Sequence, residues 1–343
     1  METWITAALS ADVQRLRSSY AGVLVFPRWF FTSNSLMKLE LKLCKIKILM
    51  NISYSNLRIL GFHDVEFQND DPSSPLFLTF PVIEEFLSLD CKWRNVKKLK
   101  IEAPRLARFE MTGCIFEHAN DGSNDCKIEI RGSNRAKFKC SVDIFASFYF
   151  SSQSKLVDAS LEYWKPDMND DINQRSKTGF QACMILTRSS AFIRFLELST
   201  DLIQVLADAN PRCPSNFFRL ARLKVYSASI AIQCDAALIN FMKMAPGLES
   251  LTFTGEFSRQ AAGDYDQIQL LPGYLSFLEV VKLEYSCSPK PTESTLVKFI
   301  LRNAVKLKEL LIYSQHEGHK VDEVRDHLFK CSRGSRNVSI LSL

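Results

Sequence analysis

The amino-acid sequence predicts an α/β leucine-rich solenoid: a curved parallel sheet with helices and irregular segments on the convex side, irregular in the middle. Two observations carry that expectation. The segment Leu248-Glu-Ser-Leu251-Thr-Phe253 is echoed by Leu278-Glu-Val-Val281-Lys-Leu283, by Leu307-Lys-Glu-Leu310-Leu-Ile312 and, upstream, by Ile193-Arg-Phe-Leu196-Glu-Leu198 and Leu220-Ala-Arg-Leu223-Lys-Val225. These five copies of L-x-x-L-x-L are spaced by 27 to 30 residues, the period and motif of leucine-rich repeats. In each copy two apolar residues at i and i+2 point to the same side of a strand, and the leading one packs in the turn before it. One such unit cannot bury its own apolar side, whereas stacked units can.

Taken in order, Trp4 to Leu16 reads as a short amphipathic helix capping a stack, through Trp4, Ile5, Ala8, Leu9, Val13 and Leu16. Gly22 to Pro27 reads as a brief strand stopped by proline. Leu36-Met-Lys-Leu39-Glu-Leu41 is the first clear copy and Leu57-Arg-Ile-Leu60-Gly-Phe62 the second. Cys44, and Cys114 further on, occupy the position three beyond the last repeat hydrophobe, where such repeats favour Asn or Cys. Both are expected to be packed, inert thiols.

The run from Phe80 to Leu89 carries one residue more than the template, and Val96-Lys-Lys-Leu99-Lys-Ile101 precedes Leu106-Ala-Arg-Phe109-Glu-Met111 by only ten residues. That is too short for a whole repeat, so two adjacent strands joined at Ala103-Pro104 are expected. Cys126 to Ile130 and Ala136 to Cys140 are strand-like, and Leu156-Val-Asp-Ala159-Ser-Leu161 is a weak copy. Lys165 to Gly179 reads as a solvated loop; its Asp167, Asp170 and Asp171 lack the alternation and closing Glu of a calcium loop.

In the C-terminal half, Asp235 to Ala245 reads as a helix with Ala237, Leu238, Phe241 and Met242 on one face, Asp235 as N-cap and Pro246-Gly247 as stop. Thr292 to Arg302 reads likewise through Leu296, Phe299 and Ile300, Val321 to Lys330 as a last short helix, and Val338 to Leu343 as a last strand.

The 343 residues exceed one ordinary domain, but a solenoid grows by adding repeats, so one elongated domain is expected. A content of 46% hydrophobic and 24% charged residues matches a soluble globular chain. A net charge of +5, from 43 basic and 38 acidic residues, is a slight imbalance without a basic motif, so no nucleic-acid partner is expected. Ten cysteines are scattered without a C-x-x-C pair, and the first residues lack a basic, apolar leader. A reducing compartment, cytoplasmic or nuclear, is therefore expected, and no window reads as a membrane span.

No P-loop, dinucleotide glycine pattern, H-E-x-x-H or nucleophile elbow occurs. No enzymatic role, cofactor or metal is expected. His316, His319, His327 and Cys331 lie in a polar stretch with nothing to fix a ligand geometry, and adjacent Glu84 and Glu85 would point to opposite faces of a strand.

Binding is where the pattern speaks. Residues flanking the second hydrophobe of each copy point outward on the concave sheet, the usual recognition surface of solenoids. Lys98, Lys100, Arg108, Arg222, Lys224 and Tyr226 are the candidate partner-binding residues, with Arg222, Lys224 and Tyr226 foremost because Arg and Tyr are typical interface anchors.

Phe241 to Phe253, Leu278 to Leu283, Glu293 to Tyr313 and the ending Cys331-Ser-Arg-Gly-Ser-Arg-Asn-Val338 resemble the C-terminal FBD region of plant F-box/leucine-rich-repeat proteins. Phe26 to Leu41 is similar to the first repeat of that family. The resemblance implies residues 1–235 as a leucine-rich-repeat domain and residues 236–343 as FBD-like repeats and cap, continuous with the solenoid. It further implies a non-catalytic, monomeric module that binds a protein partner or substrate for a cullin-based ubiquitin ligase. Members normally begin with an F-box that docks on the Skp adaptor, and none is found before Trp4; an adaptor partner is expected only if an F-box is supplied upstream. The alternative is a free-standing leucine-rich-repeat scaffold or inhibitor without a ubiquitin role.

Overall fold

The computed structural model describes residues 7, 11–24, 30, 33–48, 51–71, 73–118, 126–132, 137–142, 146–151, 156–163, 172–208, 217–226, 235–254, 275–285, 295–314, 334–335 and 338–342. They fall into two compact units, one of Met1–Asp158 with Trp164–Asn169 and one of Ala159–Tyr163 with Asp170–Leu343. The strand pairs are parallel, in the leucine-rich-repeat manner expected.

In the first unit the chain winds through β1 (Arg15–Leu24), β2 (Lys38–Ile48), β3 (Ile52–Ser53), β4 (Ile59–His63), β5 (Glu66–Asn69), β6 (Leu76–Thr79) and β7 (Glu85–Leu89). It continues through β8 (Lys92–Arg94), β9 (Lys98–Ala103), β10 (Arg108–Thr112), β11 (Ile115–Glu117), β12 (Cys126–Gly132), β13 (Lys137–Val142) and β14 (Ala146–Phe150). From β3 to β13 every third strand returns to the same ladder. The first ladder runs from β1 through the start of β2 to β4, β7, β10 and β13. The second runs from the end of β2 through β5 and β8 to β11, and the third is β3, β6, β9, β12, β14.

The repeat hydrophobes form the rungs. Leu39, Leu60, Phe86, Phe109 and Phe138 are in register across the first ladder and all buried. The last three stack nearly parallel, with centroids 5.4 and 5.3 Å apart. Phe67, Trp93 and Phe116 form a second stack inside the second ladder. The register also removes the apparent extra residue near Phe80: Phe86 lies opposite Leu60 and Ser88 opposite Phe62. The copy is therefore Ile83-Glu-Glu-Phe86-Leu-Ser88, with a serine in a leucine slot. Ser88 is fully buried, and its Oγ lies 3.3 Å from Cys114 Sγ.

Between the first and second ladders each coil turns through one left-handed residue. Leu43, Asp64, Asp90 and Gly113 follow paired positions, with φ of 55°, 52°, 54° and 63°. Immediately after them Cys44, Val65, Cys91 and Cys114 form a buried rung. Burial, with Cys91 nearby, pushes the Cys44 thiol up to about 11, and burial pushes Cys114 well up too. That agrees with packed, unreactive thiols.

Leu43 breaks the local rule. A branched side chain in the left-handed region costs about 1–2 kcal/mol, and this one is 51% exposed, so it recovers little by burial. Leu43→Asn is expected to stabilise the fold by roughly 0.5–1 kcal/mol, read as a raised urea midpoint with an unchanged slope.

Two expectations are corrected in this unit. Leu16 belongs to β1, paired with Leu39, not to a helix: hydrogen bonding along β2 overrides a helical period read over barely three turns. Of the rest of that helix Ala7 is helical, whereas residues 11–14 are turn and irregular backbone with Asp12 left-handed at φ 52°, and Arg15 already belongs to β1. Second, β9 and β10 are not neighbours. β9 pairs with β6 and β12 in the third ladder, and β10 with β7 and β13 in the first. The Ala103-Pro104 turn passes from one sheet to the other.

The second unit holds β15 (Asp158–Tyr163) from Ala159 onward, α1 (Ile172–Ser189), β16 (Phe195–Ser199), α2 (Thr200–Asp208), β17 (Arg222–Tyr226) and α3 (Asp235–Lys243). β18 (Ser250–Thr254), β19 (Val280–Tyr285), α4 (Thr295–Asn303), β20 (Glu309–Ser314) and β21 (Ser339–Ser342) complete it. Its strands pair in sequence order. Leu196, Leu223, Leu251, Val281 and Leu310 form one buried rung; Leu198, Val225, Phe253, Leu283 and Ile312 form the next.

Two of the three helices expected in this half are present, and their stated apolar faces are buried. The cap Thr292 and the helix at 321–330 lie outside the described residues. α1 replaces the second half of the expected loop 165–179. It buries Thr178, Ala182, Cys183, Ile185 and Leu186, a helical face whose polar first turns hid it. At the start of α2, Ser199 Oγ accepts from Leu202 N at 3.3 Å and from Tyr163 N at 3.1 Å, capping the helix and tying two coils together.

Candidate recognition surface

Because strand side chains alternate, burying one set of rungs turns the other outward. On the first ladder the outward residues form three rows. The first is Arg15, Lys38, Ile59, Glu85, Arg108, Lys137, and the second Arg17, Glu40, Gly61, Leu87, Glu110, Lys139. The third runs Ser19, Lys42, His63, Leu89, Thr112. Beside them, along the turns that precede the strands, lies an open groove of about 550 Å³ whose lining includes Gln14, Asn34, Met37, Arg58 and Glu84.

The charged members are organised. Glu40 meets Lys38 at 3.0 Å and Arg17 at 3.6 Å, while Glu110 meets Arg108 at 2.7 Å and Lys139 at 3.1 Å. Burial pushes the Glu110 carboxyl up, but hydrogen bonds and charge from Arg108 and Lys139 outweigh it and hold it below the ordinary carboxylate value. A depressed folded value stabilises above the unfolded value of about 4.5 and is lost as pH falls through the folded one. Acid unfolding as pH falls below about 4.5 is therefore expected to be less steep in Glu110→Gln, measured by circular dichroism.

The outward rows of the second unit include Arg222, Lys224 and Tyr226, three alternate-facing positions of β17 on its exposed side. The Arg222 guanidinium lies 5.6 Å from the Phe195 ring centroid. Lys224 Nζ is 2.8 Å from Glu197 Oε1, whose other oxygen accepts from Ser160 at 3.0 Å. Thr254 bonds Glu284 across the next strands at 3.1 Å.

Within the first unit the sequence-selected residues fall on two different sheets. Arg108 sits on the first ladder of the first unit, and Arg222, Lys224 and Tyr226 on the sheet of the second. Lys98 and Lys100 lie on β9 in the third ladder, against Glu129 at 3.3 and 3.9 Å, with Lys100 also over the Phe77 ring. Their placement on the same sheet as Arg108 is corrected: Val96 to Ile101 imitates a repeat copy but belongs to a different strand of the coil. Missed altogether were Leu87 and Leu89, which fall in outward slots once the copy is aligned on Phe86 rather than Leu89.

Among the described residues no group of three or more His, Cys, Asp or Glu could hold a metal ion. The stretch containing His316, His319, His327 and Cys331 lies outside them. No described helix is long and apolar enough to cross a membrane.

Comparison with known proteins adds a lineage. A putative F-box/FBD/LRR-repeat protein of Arabidopsis thaliana is 25% identical over 324 residues, covering 92% of this chain and 68% of the relative. A second F-box/FBD/LRR-repeat protein of that plant is 24% identical over 357 residues, covering 99% and 73%. Over most of its length the chain is similar to plant F-box/FBD/LRR-repeat proteins. An F-box/LRR-repeat protein 13 of the same plant is 24% identical over 337 residues, covering 94% of this chain and 71% of the relative. No family model and no solved structure matches it. Its leucine-rich-repeat organisation supports a role in protein interaction.

Proposed function

We propose that this chain is the partner-binding part of a plant F-box/FBD/LRR-repeat protein, acting as a non-catalytic substrate receptor of a cullin-based ubiquitin ligase. The observation that carries the reading is the outward face of the parallel strands. Its side chains are ordered by neighbouring strands rather than buried, giving a broad surface of mixed charge and apolar contact suited to another protein. Arg222, Lys224 and Tyr226 in the second unit and Arg108 in the first are the anchors of this reading. Residues 236–343 are its FBD-like part. No nucleic acid or membrane takes part, the chain acts as a monomer, and its compartment is cytoplasmic or nuclear.

The similarity to F-box proteins supports the ubiquitin role, and docking on the Skp adaptor requires an F-box in the same polypeptide. The test is to sequence the transcript through its 5′ end and co-express the full reading frame with the adaptor. Co-elution as a stable complex is expected. A full reading frame without an F-box, or one that does not co-elute, would overturn the receptor role and favour the second reading, a scaffold or inhibitor without ubiquitin chemistry.

A further inference from the structure

The centre of the first-unit face contains a residue that the fold does not require. Gly61 lies mid-strand in β4, flanked in its row by Glu40 and Leu87. Its backbone is not left-handed, and an added Cβ would meet only Glu40 Cγ at 3.5 Å and His63 Nε2 at 3.7 Å, ordinary contacts. Alanine would fit, and glycine within a strand weakens it; such a glycine marks a place where a ligand or another backbone comes close. Gly61 itself is buried at the bottom of this notch, around which stand Ile59, His63, Leu87 and Leu89, each partly exposed. Ile59, Leu87 and Leu89 form a small apolar floor, with the polar His63 at its edge, on a face that is otherwise mostly charged.

Each flank carries more basic than acidic side chains. Toward β1 and β2, Arg15, Arg17, Lys38 and Lys42 stand against Glu40. Toward β13, Arg108, Lys137 and Lys139 stand against Glu110 and against Asp158, which is 3.8 Å from Lys137. The central carboxylate, Glu85, lies 3.9 Å from Arg108. Past the third row, Asp64 and Asp90 occupy the exposed turns and close that edge to an anion.

We infer that this face binds an extended acidic protein segment, with an apolar side chain seated in the Gly61 notch and carboxylates on the basic flanks. The inference rests on the reading of the outward strands as a protein-binding surface and specifies the partner's chemistry. The segment crosses the first two rows, away from Asp64 and Asp90. From Arg17 to Lys139 the second row spans five strand spacings, about 24 Å, which about seven extended residues cover. The partner segment therefore has apolar residues at its centre and acidic residues on both sides. The apolar floor and the interspersed glutamates favour such a peptide over a nucleic acid, whose uniform phosphates would meet Glu40, Glu85 and Glu110.

The test uses the full chain and a fluorescein-labelled octapeptide with two central leucines bracketed by three glutamates on each side, followed by anisotropy. Controls replace the leucines by serine, replace the glutamates by lysine, or substitute a single-stranded oligonucleotide of equal charge. Saturable binding of the acidic leucine peptide is expected, weakened about tenfold or more by each control. Gly61→Leu is expected to weaken it similarly, and Gly61→Ala to weaken it while leaving Tm unchanged or higher. Arg17→Glu with Lys139→Glu is expected to reduce affinity about tenfold, whereas Lys282→Glu in the second unit leaves it unchanged.

Absence of binding, equal binding of the lysine or serine peptide or of the oligonucleotide, or indifference to Gly61→Leu in a folded chain would overturn the inference. Its failure is separable from failure of the receptor reading. A full-length product that co-elutes with the Skp adaptor but ignores this peptide loses only the partner chemistry; one that binds the peptide without the adaptor loses only the ligase role.

Discussion

Phe109→Ala is expected to destabilise the chain by about 3–5 kcal/mol, the largest effect of any truncation discussed. The ring is 1% exposed and lies between Phe86 and Phe138, with Phe148 edge-on at 6.4 Å. Neighbouring strands are held at fixed spacing by backbone hydrogen bonds, so they cannot collapse into the space left behind. Three aromatic contacts are lost together with the buried area, each worth about 0.5–1.5 kcal/mol. Urea unfolding followed by far-ultraviolet circular dichroism measures the loss, and Phe109→Leu should recover most of it. A change below about 1 kcal/mol for the alanine variant would mean that this stack is not packed as described.

Leu251→Ala is the counterpart in the second unit, with an expected loss of about 2–5 kcal/mol. Leu251 is fully buried in β18 between Leu223 and Val281 of the flanking strands, at the centre of the regular repeats. Thr252, the next residue, faces outward between Lys224 and Lys282. Thr252→Ala is expected to remain within about 0.5 kcal/mol. The contrast between adjacent positions reports strand alternation directly: a helix or a register slipped by one residue would not place the large and small effects in that order.

The repeated strands were legible because their cause is local. Leu196, Leu223, Leu251, Val281 and Leu310 recur at one period and need only be stacked. The helices α3 and α4 were equally readable, since their apolar faces lie inside nine residues of chain. Less legible was anything decided by what a segment packs against. Val96 to Ile101 has the repeat spacing, yet it lies in the third ladder because the coils of the first unit carry strands where those of the second carry helices. Ser88 was concealed because a leucine slot held a serine, satisfied by Cys114; that misalignment also hid Leu87 and Leu89. α1 was concealed by its polar first turns. The candidate surface was correspondingly half visible: Arg108 and β17 were found, while the Gly61 notch depends on the absence of a side chain, which only the register makes meaningful.

In the proposed function the outward first-ladder face and the β17 face are the surfaces that meet a partner. The most direct measurement is site-specific photocrosslinking in plant-cell extract, with a photoreactive residue placed singly at Leu87, at Lys224 and at Lys100. The account predicts discrete protein adducts at Leu87 and Lys224 and none above background at Lys100. Adducts at Lys100, with neither Leu87 nor Lys224 reactive, would contradict it.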